Sequence, residues 1–442
     1  MKEIDFVSLS ILIYLCQHFR KNKRHEHQQA ARKSATTMSG FFSFVKTAIM
    51  GSFLYIHDLY DFVDFVGNVN SGTNYSGTTV VLETDIDFSD YIGGLSPIGA
   101  DEKNSFMGTF DGKNHTFSNL ALSSSSGYVG LFGYTRGATI RNIKLDSTCS
   151  VSSDTLVSDA YIGGLVGYCT ATKERGCAIE GCMSAARVTF AGNTLKSFER
   201  MGGLIGECKC GDGNGCTIIN SMSYGAVKHE GVCEGSIIGG ICGLCKVRDS
   251  DGKCAIRNSG TYGSLIHSGT VNDKLIMGGV LGVGVGADVE NCVCASSITS
   301  GRKKMASGGV AGVLKKSTIT RVFWEDPQGE LKACGDKDKR TTLDGTSSNP
   351  SKMHESTVDA LNRYREKLGN ADPGFDWVLL HMNGGTANNI TRDVILTHRT
   401  FAPIPLKSRK GFFGWCEAPY SFRGCVESPI STSSVKLYAK YW

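Results

Sequence analysis

The sequence predicts an all-β protein built as a parallel β-helix, a solenoid of about six stacked coils, and three regularities support this prediction. The first is a short phrase in which two glycines enclose two apolar residues. Its opening glycines are Gly130, Gly164, Gly203, Gly240, Gly279 and Gly309. Successive copies lie 34, 39, 37, 39 and 30 residues apart, a spacing typical of stacked repeats. A second glycine precedes the last five copies, which indicates a tight bend or a close approach between coils.

The second regularity is an aliphatic residue that follows each phrase, with asparagine two positions further in four coils. The aliphatic residues are Ile140, Ile179, Ile218, Ile256, Val289 and Ile319. The asparagines are Asn142, Asn220, Asn258 and Asn291, with Gly181 and Arg321 in the other two coils. Asparagine side chains stacked in this way are expected to hydrogen-bond to one another along the solenoid axis.

The third regularity is another aliphatic residue nine positions after the first, at Val188, Val227, Leu265 and Ile298. This constant interval predicts that two short strands and one turn recur, within a coil of three short strands. The segments are too short and too rich in glycine for helices. One coil cannot bury its own apolar face, but stacked coils can, with each strand pairing in parallel with its equivalents.

The phrase Gly-Gly-Leu-Val-Gly, followed by Ile-x-Asn, resembles the GLUG-repeat proteins. Upstream, Phe106–Leu120, Val69–Gly72, Leu82–Asp87 and Pro97–Gly99 resemble the N-terminal part of the same proteins, so the resemblance covers roughly residues 55 to 425. It implies a large secreted or surface protein of bacteria or unicellular eukaryotes, with an adhesive role.

Some bacterial relatives carry a metallopeptidase domain, which needs His-Glu-x-x-His on a helix. The three His-Glu pairs of this chain, at His25, His229 and His354, all lack the second histidine. The sequence therefore predicts no peptidase, and it predicts no catalytic residue, cofactor or metal site.

The chain has 442 residues and a net charge of +5. The basic residues form no face interleaved with aromatic residues, so no nucleic-acid partner is predicted. The predicted organisation has five parts: a disordered leader or signal-anchor over 1–40, a helix and strand cap over 41–99, the GLUG-repeat β-helix over 100–325, a linker over 326–354 and a small α+β region over 355–442.

The N-terminal 40 residues leave several alternatives open. Phe6–Phe19 is an apolar run of 14 residues followed by basic Arg20–Arg24. It is a poorly ordered leader, a stretch before a true start at Met38, or a signal-anchor that gives the only membrane contact. With a start at Met38, the apolar residues that follow could be a secretion signal.

Within the cap, Ile56–Val66 has the apolar spacing of an amphipathic helix that covers the end of the solenoid. Thr78–Leu82 is a predicted strand. Asp85 and Asp87 are interpreted as turn-forming residues, with calcium binding or acid–base chemistry as alternatives.

Cysteine pairs occur only where a coil is longer. From the closing glycine to the next aliphatic residue there are 7 positions in coils one, five and six, but 12, 12 and 13 in coils two, three and four. A disulfide across each long loop explains this coincidence and predicts the pairs Cys169–Cys177, Cys208–Cys216 and Cys245–Cys254. Thiolate metal binding, which Cys208, Cys210 and Cys216 could begin, and buried free thiols remain alternatives.

In the C-terminal region, residues 355–368 read as a helix, and Trp377–Leu380 and Asp393–Leu396 as strands. Phe412–Cys416 resembles a signature of small β-rich repeats on bacterial surface proteins, with Cys416 in place of tyrosine. The nearby Cys425 suggests a Cys416–Cys425 disulfide.

Disulfides and sequons both favour an extracellular or cell-surface location. The candidate glycosylation sites are Asn74, Asn114 and Asn389. The predicted function is non-catalytic adhesion, or binding of a host protein or glycan, through the stacked loops of coils two to four. The candidate binding residues are Lys173, Arg175, Asp212, Arg248, Asp249 and Asp251. The alternatives are a polysaccharide-processing enzyme, by analogy of fold alone, and a thiol-rich metal-binding protein.

Overall fold

The computed structural model describes part of the chain. The described residues are 52–154, 159–211, 214–248, 252–301, 306–326, 329–349, 355–367, 375–382, 394–401, 412–417, 425–429, 432 and 436–441. Residues 53–442 belong to one compact unit. The predicted leader and the apolar segment that precedes residue 52 lie outside the described residues.

The protein is a parallel β-solenoid, as predicted, but most coils contain five short strands instead of three. Equivalent strands form five long sheets, here named A to E in the order in which the chain visits them after each glycine phrase. Sheet A contains Phe132–Arg136, Val166–Thr170, Ile205–Cys210, Cys242–Val247, Leu281–Val285, Ala311–Lys315 and Cys334–Lys337. Sheet B contains Ser52–Ile56, Thr78–Leu82, Thr109–Asp111, Thr139–Arg141, Cys177–Glu180, Cys216–Ile219, Cys254–Arg257, Ala287–Glu290, Thr318–Thr320 and Thr342–Asp344.

The other three sheets complete each coil. Sheet C contains Ile86–Asp87, Thr116–Ser118, Lys144–Leu145, Met183–Ser184, Met222–Ser223, Gly260–Thr261, Val293–Cys294, Phe323–Glu325 and Ser347–Asn349. Sheet D contains Ala121–Ser124, Ser150–Ser153, Arg187–Phe190, Val227–His229, Leu265–His267 and Ile298–Ser300. Sheet E contains Tyr128–Val129, Ala160–Gly163, Asn193–Gly202, Val232–Gly239, Thr270–Gly278 and Ala306–Gly308.

The register between coils follows the sequence regularities. In sheet B the aliphatic residues from Ile140 to Ile319 stand opposite one another, and in sheet D Val188, Val227, Leu265 and Ile298 do the same. The pairing in both columns is parallel. These side chains, except the partly buried Ile298, form the buried core with the apolar pair inside each glycine phrase, such as Leu165 and Val166.

The corner between sheets B and C is where the recurrent asparagine lies. Asn142, Asn220, Asn258 and Asn291 all have φ between 45° and 56°, and Gly181 and Arg321 in the same column have φ of 60° and 53°. Asparagine tolerates this left-handed conformation better than most residues. The predicted ladder is present: Asn291 Nδ2 donates to Asn258 Oδ1 at 2.9 Å, and Asn258 Nδ2 donates to Asn220 Oδ1 at 2.8 Å.

The doubled glycine marks a close approach between backbones. A Cβ atom on Gly163 would lie 2.2 Å from the carbonyl oxygen of Val166, and one on Gly202 would lie 2.0 Å from that of Ile205. Real Cβ atoms do not approach backbone oxygens this closely, so the bend between sheets E and A admits only glycine here.

Helix α1, Leu59–Asn70, covers the first end of the core. Asp58 caps it, because its side chain accepts a hydrogen bond from the backbone N–H of Asp61 at 2.8 Å. Phe62 and Phe65 are buried, and their rings pack against Phe117 and Phe106 with centroids 5.1 and 5.9 Å apart. The helix begins and ends slightly later than the predicted Ile56–Val66, since Ser52–Ile56 is a strand of sheet B.

The structure contradicts the prediction of a linker over 326–354. Cys334–Lys337, Thr342–Asp344 and Ser347–Asn349 add a further coil to sheets A, B and C. Leu314 and Ile319 of the preceding coil pair with Lys337 and Leu343. The charged, polar composition misled the prediction, because strands at the last coil expose most of their side chains and need few apolar residues.

The described residues of the C-terminal region include helix α2, Glu355–Lys367, and a mixed sheet of the four strands Trp377–His381, Val394–His398, Phe412–Cys416 and Lys436–Tyr441. This region packs on the outer side of sheet C, where Trp377 Nε1 donates to Asn258 Oδ1 at 2.7 Å and Asn291 Nδ2 donates to the carbonyl of Leu361 at 3.1 Å. Among the residues that the structure describes, no helix is long and apolar enough to span a membrane.

Candidate functional site

The loops between sheets A and B in coils two, three and four lie directly on one another. Asn214 of the coil-three loop donates from Nδ2 to the carbonyl oxygens of Thr172 and Lys173 in the coil-two loop, at 2.9 and 2.7 Å. The backbones also touch, since a Cβ on Gly176 would lie 2.5 Å from Gly215 O. A Cβ on Gly215 would likewise lie 2.2 Å from Lys253 O. The described residues of the three loops therefore form one continuous surface.

Basic side chains follow this surface, which we name the basic edge: Lys173, Lys209, Lys246, Arg248 and Lys253. Lys209 and Lys246 stand opposite each other in sheet A, about 4.8 Å apart along the axis. Lys173, Lys246, Arg248 and Lys253 are exposed. The loop segments 170–176, 209–215 and 246–253 hold six basic and four acidic residues, a net charge of +2.

The other predicted binding residues are placed as follows. Arg175 is half-buried, and its Nη1 donates to the carbonyl of Met107 at 3.2 Å, so it fastens the coil-two loop to an upstream segment. Asp212, Asp249 and Asp251 lie outside the described residues.

Two of the predicted cysteine pairs are bonded in the structure, Cys245–Cys254 and Cys416–Cys425. The prediction of the pairs Cys169–Cys177 and Cys208–Cys216 is wrong, because all four residues are buried free thiols. Each sulfur has another contact instead. Cys169 Sγ lies 2.9 Å from Cys208 Sγ of the next coil, and the thiols of Cys177 and Cys216 donate to the carbonyls of Thr170 and Lys209.

These residues form two adjacent columns inside the solenoid, named here the cysteine ladder. Cys169, Cys208 and Cys245 are in register in sheet A, and Cys177, Cys216 and Cys254 are in register in sheet B. The disulfide therefore occupies one rung of three equivalent rungs. The spacing of the cysteines predicts the rungs but does not distinguish bonds within a coil from contacts between coils.

The thiols of the ladder differ in acidity. A hydrogen bond with Cys177 raises the pKa of Cys169 to about 11. For Cys216, the hydrogen bond with Cys169 raises the pKa, but the hydrogen bonds with Cys177, Cys208 and Cys210 prevail and lower it to about 7. Cys216 is thus the residue of the ladder that becomes a thiolate most readily.

The sulfurs of Cys169, Cys177 and Cys216 all lie within 4.8 Å of one another, and so do those of Cys208, Cys242 and Cys245. Three sulfurs at this spacing match the donors that Zn²⁺ accepts in structural sites. The second group includes a cysteine of the disulfide, so only the first has all its thiols available as ligands in this structure.

Asp85 and Asp87 act as hydrogen-bond acceptors at the start of the solenoid. Asp85 Oδ1 accepts from the N–H of Thr116 at 2.8 Å and lies 3.1 Å from His115 Nδ1. Asp87 Oδ1 accepts from Asn119 Nδ2 at 2.8 Å and from the N–H of Ser89. The contact between Asp87 and Ser89 is local to the turn, and the contacts with Thr116, His115 and Asn119 join the first coils to each other.

Two of the candidate glycosylation sites, Asn74 and Asn114, are exposed, as the modification requires. Asn74 Oδ1 accepts a hydrogen bond from the N–H of Ser76, the third residue of its sequon. Asn389 lies outside the described residues.

Sequence analysis missed the corner between sheets E and A, where two columns of side chains face each other. In the first two coils they are tyrosines: Tyr128 stacks on Tyr161 with centroids 5.2 Å apart, and Tyr134 packs on Tyr168 at 4.8 Å. A signal was present, because Tyr134 and Tyr168 directly follow the closing glycines Gly133 and Gly167. The equivalent residue of the third coil is Glu207, which pairs with Arg200.

The fold and these surfaces define the chain as a parallel β-solenoid protein. No family model matches it, and no curated protein does. Among solved structures it is similar to a candidate immunoglobulin A1 protease from Bacteroides ovatus, at 18% identity and a TM-score of 0.43, over 79% of this chain and 92% of that one. The resemblance to GLUG-repeat proteins stays a prediction.

Proposed function

We propose that this chain is a non-catalytic, exported surface protein that binds an anionic glycan along the basic edge. The observation that carries the proposal is the stacking of the three loops, through the Asn214 hydrogen bonds between coils two and three and the close approach of Gly215 and Lys253 between coils three and four. A surface that repeats every coil suits a ligand that also repeats. The exposed sequon asparagines and the disulfides agree with export.

The charge of the basic edge favours an anionic ligand over a neutral one. Lys209 and Lys246 present ammonium groups from neighbouring strands, and the exposed Lys173, Arg248 and Lys253 extend the row across the loops. A polyanion laid along the axis would contact several of these cations at once. Each contact is weak when exposed, about 0.2–1 kcal/mol, so affinity would come from their number.

The alternative of a polysaccharide-processing enzyme has no support in the site. Such chemistry needs two carboxylates that face one substrate. Asp85 and Asp87, the acidic pair that sequence analysis considered for this role, are engaged as acceptors within the first coils.

The test is binding of the full chain to heparin, used as an anionic probe, with neutral dextran as the comparison. Lys209→Ala, Lys246→Ala and Arg248→Ala are each expected to weaken heparin binding by about twofold to fivefold, and the triple variant more. Binding is expected to decrease as salt is added, because the cations are exposed.

Arg187→Ala is the matched control, since Arg187 is an exposed cation on sheet D, far from the loops along the coil. A second variant shortens the three loops to the length of the coil-five loop. If the triple variant and the shortened chain bind heparin as the wild type does, the basic edge is not the binding site. If the chain does not bind heparin but binds a protein ligand, this result would also contradict the glycan proposal.

A further inference from the structure

A second group of ionisable residues lies inside the solenoid, at the corner between sheets D and E, and we name it the inner cluster: Glu199, His229, Cys233 and His267. Glu199, His229 and Cys233 are fully buried, and His267 is 6% exposed. The loops of the basic edge do not include any of these residues, and the proposed glycan binding does not use them.

The side chains of the inner cluster converge. His229 Nε2 lies 3.2 Å from Cys233 Sγ, and the Glu199 carboxylate, His229 and Cys233 have ligand atoms within 4.8 Å of one another. On the other side of the imidazole ring, His229 Nδ1 lies 3.1 Å from His267 Nδ1. Ser197 Oγ donates to Glu199 Oε1 at 2.8 Å.

From this convergence we propose that the inner cluster is a binding site for a divalent transition metal ion of the Zn²⁺ class, with Cys233 Sγ, His229 Nε2 and a Glu199 oxygen as ligands. His267 does not bind the ion but orients the His229 ring through Nδ1. Cysteine, histidine and glutamate are the three ligand types that Zn²⁺ takes in proteins.

The distances fit a shared ion. With Zn–S near 2.3 Å and Zn–N near 2.0 Å, two ligands of one tetrahedral ion lie about 3.5 Å apart, close to the separation of His229 Nε2 and Cys233 Sγ. The contact with His267 supplies the second feature of such sites, because a metal-binding histidine usually donates its other ring N–H to a neighbouring acceptor. When Nδ1 of His229 donates to His267, its Nε2 is left unprotonated and able to bind the ion.

The energetics of burial support an ion as well. A carboxylate and two imidazoles are costly to remove from water, and the ring of Phe190 stacks on His229 at 5.3 Å. A divalent cation would compensate this cost. Unlike the cysteine ladder, the inner cluster contains a single cysteine, so a disulfide within the cluster does not compete with the metal.

The register of the solenoid provides substitutions that the fold already accommodates. His229 stands opposite Phe190, Cys233 opposite Val271, Glu199 opposite Ala160, and His267 opposite Ser300. The variants His229→Phe, Cys233→Val, Glu199→Ala and His267→Ser therefore each place at one position the residue of a neighbouring coil. Cys292→Ala is the control, since Cys292 is a buried free thiol outside the inner cluster.

The experiment measures zinc content of the purified full-length chain after equilibration with Zn²⁺, and the visible spectrum after replacement by Co²⁺. His229→Phe and Cys233→Val are expected to bind one zinc ion fewer per chain than the wild type and Cys292→Ala. The Co²⁺ difference spectrum between the wild type and Cys233→Val is expected to show a sulfur-to-metal charge-transfer band and tetrahedral ligand-field bands. Because His267 orients the His229 ring without binding the ion, His267→Ser is expected to bind Zn²⁺ about 10- to 100-fold more weakly without losing the ion.

Equal zinc content in the wild type, His229→Phe and Cys233→Val would overturn the proposal, and the inner cluster would then be a hydrogen-bonded network alone. If His229→Phe or Cys233→Val does not fold, His267→Ser decides the question, since it removes no ligand. Zinc affinity unchanged in His267→Ser, together with a wild-type Co²⁺ spectrum in Glu199→Ala, would also contradict the site.

Discussion

Arg200 and Glu207 form an ion pair in the corner between sheets E and A, with Arg200 Nε 3.3 Å from Glu207 Oε2. Asp159 binds the same guanidinium group at 2.7 Å. One coil further along the axis, Ile237 stands opposite Arg200 and Leu244 stands opposite Glu207. One backbone geometry thus holds a charged pair in one coil and an apolar pair in the next.

This equivalence predicts the outcome of a double-mutant cycle. Arg200→Ile leaves Glu207 buried without its partner and is expected to lose about 3 kcal/mol of unfolding free energy. Glu207→Leu leaves Arg200 paired with Asp159 and is expected to lose less. The double variant repeats the pair of the next coil and is expected to be close to the wild type. Urea unfolding of the four proteins measures the cycle. A double variant that loses the sum of the two single losses would show that the pair is not coupled.

Two glycines predict opposite effects of the same substitution. In Gly202→Ala the new Cβ would lie 2.0 Å from the carbonyl oxygen of Ile205, so we expect a loss of about 3 kcal/mol or more. In Gly67→Ala the new Cβ has nothing within 4 Å. Because Gly67 lies within helix α1, alanine is expected to stabilise the protein by about 0.5–1 kcal/mol. Melting temperatures of both variants test the pair, and equal shifts would contradict the assigned role of the bend.

The environment of Asp111 predicts that the folded protein loses stability in acid. Burial opposes ionisation of Asp111, but hydrogen bonds from the Lys113 N–H and Asn142 Nδ2, together with Arg141, prevail and lower its pKa below the ordinary 3.8. The folded protein therefore binds this proton less readily than the unfolded chain. The stabilisation is fully present above about pH 4 and is lost as the pH falls through the lowered pKa.

The variant Asp111→Asn is expected to be less stable than the wild type at pH 7 and to lose less stability between pH 4 and pH 2. Unfolding free energies across that range are the measurement. Asp90→Asn, at an exposed position, is the control and is expected to follow the wild-type curve. Parallel curves for Asp111→Asn and the wild type below pH 4 would contradict the role of Asp111.

The cysteines predict a labelling pattern. Cys245, Cys254, Cys416 and Cys425 are expected to react with an alkylating reagent only after reduction. The twelve buried free cysteines of the described residues are expected to react without reductant once the chain is unfolded, and slowly in the native protein. Peptide mapping by mass spectrometry reads each position. Protection of Cys169, Cys177, Cys208 and Cys216 until reduction would show that the whole cysteine ladder is oxidised.

Sequence regularity predicted the parts of the fold that repeat. The columns of Ile179 and Val188, the asparagine ladder at Asn220 and the capping role of helix α1 follow from spacing and side-chain chemistry that recur within a few residues. Asn193–Gly202 was missed as a strand because most of its residues are polar. Its pairing partners, not its composition, hold it extended.

The contacts between distant segments were beyond prediction from spacing. Trp377 donates a hydrogen bond to Asn258, 119 residues away in the sequence, and no local sequence pattern predicts this contact. The inner cluster was missed for a related reason, since Glu199 and His229 are 30 residues apart and converge only through the registers of sheets D and E. The cysteine spacing predicted the rungs of the cysteine ladder. Which rung forms the disulfide depends on the positions of the sulfur atoms, which the sequence does not specify.

The C-terminal region lies along the side of the solenoid instead of at its end, and this placement has a mechanical consequence. Tyr224, Asn258 and Asn291, which lie in three successive coils, all contact it. Hydrogen bonds between coils run along the axis, so a pulling force applied to the chain end would open the solenoid one coil at a time. Because the C-terminal region contacts three coils, those coils would resist the force together. The middle of the solenoid would therefore be stiffer than its ends, which would unfold first.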